Sequence, residues 1–340
     1  MKQEVWFTAN QILEKHQSEQ YLLKNNQLHP YPILVRKIDF ISGERPLQSF
    51  PYLVLDHAWI QKLRKRSLSI AEKVHYYFKG CNYNKSIRDW QKKIISYLEN
   101  QQRLPFPLFR LVDDWESYFY EKLAVQFQSA RGEAFQLPLY LTEDLAYISG
   151  VVMGDGHLAD YFVNIIDYSK EHIELIAALL VELFQSKIEI FKQSNANAWN
   201  INILGKWIVR FFNFLSGQPI NARKYPALRE PLIFQKNDLF LKAFWRGVMD
   251  ADVSYKTVIS FSTASQRFLS DFSAYLSQHN IHCRFYTQSV FGGTSHSFTV
   301  AGESCKRFAK LIGTAHPQKQ VELQLLLKKK VYQFSLESPL

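Results

Sequence analysis

Residues 141–216 recur at residues 238–313 with a constant offset of 97, and this internal repeat constrains the chain more than any local pattern does. Asp155 falls on Asp252, Gly150 on Gly247, Leu179 on Leu276, Gly205 on Gly302 and Leu215 on Ile312. In each copy the spacing of apolar residues predicts a helix, a strand region, a second helix, two more strands and a closing helix. The first copy places these at 143–154, 161–166, 171–184, 188–193, 199–204 and 207–215. The second places them at 239–251, 257–263, 266–278, 282–289, 295–301 and 305–312. The fold expected is therefore α+β, a pseudo-two-fold pair of αββαββα subdomains over 141–236 and 237–325.

The opening helices of the two copies read LTEDLAYISGVVMGDGHL and DLFLKAFWRGVMDADVSY, and both end in an acid. Thr142 and Asp238 are suitable N-caps, while Glu143 and Asp144 complement the positive end of the first helix. Small residues lie four apart on one face of each helix: Gly150 and Gly154 in the first, Gly247 and Ala251 in the second. Glycine inside a helix costs about 1 kcal/mol relative to alanine. Two copies of the arrangement predict that the helices pack backbone to backbone, which offsets that cost. Their C-terminal ends then lie side by side, with Asp155 near Asp252. Two carboxylates at the negative ends of two helices repel each other, and a hard divalent cation relieves the repulsion. A lone Asp155-Gly156 is an ordinary helix-ending turn; its recurrence at the fixed offset turns it into a candidate metal site.

At these residues the sequence resembles the LAGLIDADG family, in particular the two-motif, single-chain members close to intein endonuclease domains. The resemblance covers about residues 141–325. The nonapeptides are 148–156 and 245–253, Met153 stands two before the first metal acid, and Val253 replaces the terminal glycine. It implies Asp155 and Asp252 as metal ligands for Mg²⁺ or Mn²⁺, with Asp250 and Gly156 in support. It also implies a basic residue after each closing helix: Lys224, 69 residues beyond Asp155, and Lys319, 67 beyond Asp252. The activity implied is site-specific cleavage of double-stranded DNA. The alternative is a domain retained for sequence-specific binding, as in a transcriptional regulator, and a third reading is an RNA maturase. A self-splicing element would need a nucleophile at residue 1 and a terminal His-Asn; the chain begins Met-Lys and ends Ser-Pro-Leu, so a freestanding protein is expected.

Strands that alternate polar and apolar residues make sheets with one face toward the core and one toward solvent. On the second sheet Arg284, Tyr286 and Gln288 share a face, as do Ser297 and Thr299. Their counterparts in the first are Lys187, Glu189 and Phe191, then Asn200 and Asn202. Two such sheets form a saddle whose ribbons can enter successive major grooves. Unlike halves imply an asymmetric target, bound by a monomer.

The net charge of +10 is concentrated: residues 60–93 hold ten Lys/Arg against two acids, interleaved with aromatic side chains. Such a stretch suits phosphate contact, with Arg64, Lys65, Arg66, Lys85 and Arg88 as candidates, although a solvated helical face has the same composition. Helices are expected at 59–65, at 70–78 after Ser69 as cap, and at 87–98 after Ser86, and their turn around Gly80 resembles a helix-turn-helix module over 59–103. Residues 1–58 open with a helix-like stretch, 104–140 read as a connector with helix at 114–129, and 326–340 form a tail. The expected amino-terminal domain is thus mostly helical. Cys81, Cys283 and Cys305 lack zinc-site spacing and read as reduced thiols. With 47% hydrophobic residues, no charged-then-apolar leader and no stretch long enough to cross a bilayer, an intracellular, membrane-free protein is expected.

Overall fold

A computed structural model of the chain describes residues 50–336, apart from 81–83, 121, 130–132, 195, 224–227, 236 and 291–292. These residues form two compact units, one of 50–140 with 183–186, the other of 141–182 with 187–336. The helix-like stretch expected to open residues 1–58 lies outside the described residues.

The first unit combines helices with a sheet. Its strands are β1 (Tyr52–Val54), β2 (Arg103–Pro105), β3 (Ala124–Gln128) and β4 (Ala134–Pro138), antiparallel in the order β2-β1-β3-β4. The helices are α1 (His57–Lys65), α2 (Ser67–Tyr77), α3 (Ile87–Gln101) and the single turn α4 (Phe106–Phe109). Asp56 caps α1 by accepting from the Trp59 amide at 3.0 Å, and Ser86 caps α3 by accepting from the Asp89 amide at 3.2 Å. Helix α2 starts at Ser67, so Ser69 lies in its first turn instead of capping it. Residues 114–129, expected to be helical, are a 3-10 turn at Trp115–Tyr118 followed by β3. The period is two there: Val125 and Phe127 are buried on either side of exposed Gln126. Phe106, Phe109, Tyr118, Phe119 and Phe127 interlock as the core.

The second unit contains the repeat. Its first half runs α5 (Glu143–Gly154), β5 (Gly156–Leu158), β6 (Phe162–Asp167), α6 (Lys170–Phe184), β7 (Ile188–Lys192), β8 (Trp199–Leu204) and α7 (Lys206–Ser216), with sheet order β5-β6-β8-β7. The second half runs α8 (Asp238–Asp252), β9 (Ile259–Thr263), α9 (Gln266–Gln278), β10 (Cys283–Val290), β11 (Gly293–Val300) and α10 (Ser304–Leu311), with order β10-β11-β9. A long helix, α11 (Pro317–Leu336), follows. The α/β alternation is as the repeat predicted, with one difference. The counterpart of β5 is reduced to a bridge between Ser254 and Ser260. At Gly156 a Cβ would lie 2.6 Å from the Val152 Cα, so Val253 cannot follow the same path out of its helix.

Helix α5 is buried on all sides from Leu145 to Gly154, the pattern of a central helix. It packs on α8 through glycine. A Cβ at Gly150 would overlap the Phe244 carbonyl oxygen and stand 2.9 Å from the Val248 nitrogen. A Cβ at Gly247 would overlap the Tyr147 carbonyl oxygen and stand 2.9 Å from the Val151 nitrogen. The two contacts are related by the 97-residue offset, and only glycine admits either. Thr142 caps α5 as expected, accepting from the Leu145 amide at 3.1 Å, whereas α8 is capped by Asn237, one residue before the expected Asp238.

Candidate metal centre and nucleic-acid interface

Close packing of α5 on α8 brings Asp155 and Asp252 into one groove of about 1140 Å³, which Gln218, Thr263 and Ser295 also line. Asp155 is half-buried and Asp252 exposed. A Cβ at Gly154 would lie 3.6 Å from Asp252 Oδ2, which places the second acid against the end of the first helix. Gln218 adds a buried amide whose Nε2 donates to the Gly156 carbonyl at 2.9 Å, while its Oε1 has no hydrogen-bond partner among the described residues. Two carboxylates lining one groove, with the amide of Gln218 among the same lining, offer hard oxygen donors of the kind Mg²⁺ or Mn²⁺ takes.

Lys319 reaches this end of the helix pair from the first turn of α11. Its Nζ donates to the carbonyls of Asp250 at 2.6 Å and Ala251 at 2.8 Å, where α8 needs donors. Burial pushes the ammonium pKa down, against the pull of the Asp155, Asp250, Asp167 and Asp252 carboxylates. Asp250 is fully buried and turned away from the groove. It accepts from the Tyr147 hydroxyl at 2.9 Å, from the Ala315 amide at 2.8 Å and from the Thr314 hydroxyl. Lys224 lies outside the described residues.

The strand faces are arranged as the alternation predicts in the second half. Arg284 pairs with Thr299 and Tyr286 with Ser297 across β10 and β11, and Ser297 pairs in turn with Ser262 on β9. Gln288 pairs with Ser295, which lines the groove. The first half differs. Asn202 is half-buried, and its amide oxygen accepts from Asn164 at 2.8 Å. Asn200, expected on a solvent face, is 4% exposed and contacted by the Asn164 and Gln193 amides at 3.4 Å, so it organises its neighbours instead of facing solvent. Lys187 precedes β7, is exposed, and pairs with Glu189 at 2.8 Å.

In the first unit the basic stretch is partly neutralised by acids outside the window in which it was counted. Arg64 pairs with Glu99 at 2.7 Å, Arg66 with Asp114 at 2.8 Å, and Lys62 and Lys73 with Asp114 and Asp113. Lys65, Lys85 and Arg88 are exposed and pair with no acid among the described residues. Cys305 is buried and Cys283 half-buried, where burial pushes its thiol up to about 11; Cys81 lies outside the described residues. Among the described residues, no helix is long and apolar enough to cross a membrane.

A buried network behind the groove was not foreseen. Tyr147 Oη lies 2.8 Å from His172 Nε2, His172 Nδ1 lies 2.7 Å from Asp167 Oδ2, and His316 Nε2 lies 3.4 Å from Asp167 Oδ1. Burial alone would raise the Asp167 carboxyl, but hydrogen bonds from His172, His316 and the Ser169 amide hold it far below the usual range. Spacing along the chain hides this group, since His316 lies 149 residues from Asp167. Reading one repeat against the other for polar residues opposite apolar ones would have found it.

Two α/β subdomains that share one pair of abutting helices, each helix ending in an acid at a common groove, define a pseudo-symmetric single-chain protein. Residues 239–313 match the model of the LAGLIDADG-like domain. The second subdomain is thus similar to a LAGLIDADG-like domain, and the first repeats its order of elements. An A-type ATP synthase subunit of Pyrococcus abyssi (strain GE5 / Orsay) is 28% identical over 188 residues, 54% of this chain and 18% of that protein. The chain thus spans less than a fifth of that relative's length. The crystal structure of I-DmoI in complex with DNA and Ca is similar over 54% of this chain and 97% of that one, at 16% identity and a TM-score of 0.42. Full-length DUF199/WhiA from Thermatoga maritima is similar over 56% of this chain and 62% of that one, at 12% identity and a TM-score of 0.39. With both scores below 0.5, the likeness to this family rests on the matched domain of residues 239–313 and on the repeat around it.

Proposed function

We propose that this protein is a site-specific endonuclease of double-stranded DNA, acting as a monomer on an asymmetric target with Mg²⁺ or Mn²⁺. The observation that carries this reading is the meeting of Asp155 and Asp252 in one groove, with the Lys319 ammonium close enough to feel both carboxylates. A fold alone does not specify activity; the donors in the groove do. A divalent ion held by the two aspartates would act as Lewis acid on a phosphodiester and make bound water a nucleophile. Lys319 spends two of its three N–H bonds on helix carbonyls, which leaves one to point at a phosphate oxygen. Arg284, Tyr286, Gln288, Ser297 and Thr299 would read base edges on one half-site, and Lys187 and Asn202 the other. Unequal faces favour unequal half-sites.

The first unit fits an accessory role. Helices α2 and α3 would serve as its helix-turn-helix-like pair, with Lys65, Lys85 and Arg88 as candidates for phosphate contact.

A selection from a random duplex library, run in Mg²⁺ and in Ca²⁺, yields the site and separates cutting from binding. Cleavage is expected to fall at least about 100-fold in Asp155→Asn and in Asp252→Asn, the scale of losing one charge-stabilising group, while binding in Ca²⁺ persists. Cleavage undiminished in both variants would refute the assignment. One observation favours a second reading, a DNA-binding regulator that does not cut: the 97-residue offset places Ala222 opposite Lys319, so the site has no second lysine at that position. Tight, sequence-specific binding by the wild-type chain with no cutting in Mg²⁺ or Mn²⁺ would select it.

A further inference from the structure

The buried network bridges the two halves of the repeat and has no symmetry mate. Tyr147, Asp167 and His172 fall on Phe244, Ala264 and Leu269 in the second half, and Asp250 and His316 fall on Met153 and Pro219 in the first. At three of these places, Met153, Phe244 and Leu269, the fold closes with buried apolar side chains. A buried polar group is costly unless fully partnered, so polar residues at the matching positions point to a task beyond folding.

Their geometry indicates which task. His172, His316 and Asp167 are 0%, 4% and 9% exposed, and one ligand atom from each lies within 4.8 Å of the others. The imidazole rings are 4.4 Å apart and tilted by 33°, so Nδ1 of His172 and Nε2 of His316 converge on the two oxygens of Asp167. His316 is held loosely: its contacts to Asp167 Oδ1 and to the Lys319 amide are both 3.4 Å. The proton count is also incomplete. If a neutral His172 donates from Nδ1 to Asp167, its bare Nε2 faces Tyr147 Oη, whose one proton is also sought by Asp250. Either a second ring proton or a metal ion on Nδ1 removes the conflict, since Nε2–H then donates to Tyr147 and Tyr147 to Asp250; the convergence of both imidazoles on Asp167 and the loose hold on His316 favour the ion. This is the outer-shell arrangement that orients a metal-bound histidine.

We propose that Asp167, His172 and His316 bind one transition-metal ion of the Zn²⁺ class, at a site separate from the oxygen-donor groove of Asp155 and Asp252. Two imidazoles and a carboxylate select Zn²⁺, Co²⁺ or Ni²⁺ over Mg²⁺. The ion ties the start of α6 to the turn that launches α11, and so fixes the backbone from which Lys319 extends. It does not depend on the protein being a nuclease.

The test uses the full chain, stripped with chelator and titrated with Co²⁺ or Zn²⁺ alone. One equivalent of Co²⁺ is expected to give a visible d–d absorption that excess Mg²⁺ leaves intact and Zn²⁺ displaces. The band should vanish in His172→Leu and His316→Leu, and persist in the double variant Asp155→Asn/Asp252→Asn. Tyr147→Phe should keep it with affinity about 10-fold or more weaker, the scale of an outer-shell loss. The wild-type titration needs no variant to fold. No uptake by the wild-type chain would leave only a hydrogen-bonded clasp and overturn the proposal. A band lost with the two aspartates but kept without the histidines would overturn it as well.

Discussion

Gly150 and Gly247 each stand where a single methyl group would strike backbone on the partner helix. Neighbouring side chains can yield to an added atom; a helix backbone cannot. Gly247→Ala is accordingly expected to cost about 3 kcal/mol, the upper part of the usual range for overpacking. Its urea midpoint should fall well below that of the wild type, and an unchanged midpoint would mean that the helices stand further apart than described. These glycines and the two acids were legible from sequence because the repeat supplied their symmetry mates. Lys319 was legible only as a distance from Asp252; its bonds to the α8 carbonyls were not. The network of Tyr147, Asp167, His172 and His316 escaped because its members come from three elements and the turn before α11, and no local period links them. Asn200 was misplaced for a related reason. Alternation along β8 puts it on the outer face, but Asn164 and Gln193 then cover it.

Among the elements, α1 offers a clean acid test of its cap. Asp56 accepts from the Trp59 amide and from Lys122 Nζ at 3.1 Å. Partial burial alone would raise its carboxyl, but these bonds hold it below its ordinary value. A carboxyl depressed by folding leaves the unfolded chain binding the proton more tightly. Its contribution is thus present above the unfolded value of about 3.9 and is lost as pH falls through the folded value. Asp56→Ala should cost about 1 kcal/mol near neutral pH, as other lost caps do, and should lose less than the wild type between pH 5 and 3. Denaturant midpoints at several pH values check both; parallel curves for the two proteins would remove Asp56 as a source of acid sensitivity. Elements of the repeat were readable to within about a residue or two, because each was predicted twice. The stretch at 114–129 had no second copy, and its strand alternation spans only five residues of β3. The lost counterpart of β5 followed from one residue, Val253, whose bulk the sequence displayed but whose consequence needed the backbone around Gly156.

For the molecule as a whole, charge is less concentrated than the linear count of +8 over 60–93 implies, since Glu99, Asp113 and Asp114 fold back onto that stretch. Of the five candidate bases there, Lys65, Lys85 and Arg88 remain exposed without an acid partner among the described residues. If they meet phosphates, replacing each with alanine should lower the slope of log K against log salt by about 1, with base preference unaltered. Arg64→Ala should change the slope less. Equal slopes throughout would remove this unit from the DNA interface. The seam between α5 and α8 bears on how such a molecule can be rebuilt. Main-chain atoms are the same whatever the sequence, so the contact of backbone against glycine makes no demand on side chains at that turn. A foreign subdomain with glycine at the same turn of its first helix would match this part of the seam, and the bonds of Tyr147 to Asp250 and of His316 to Asp167 are what it would still have to replace, so the pivot is generic and the latch beside it is particular to this chain.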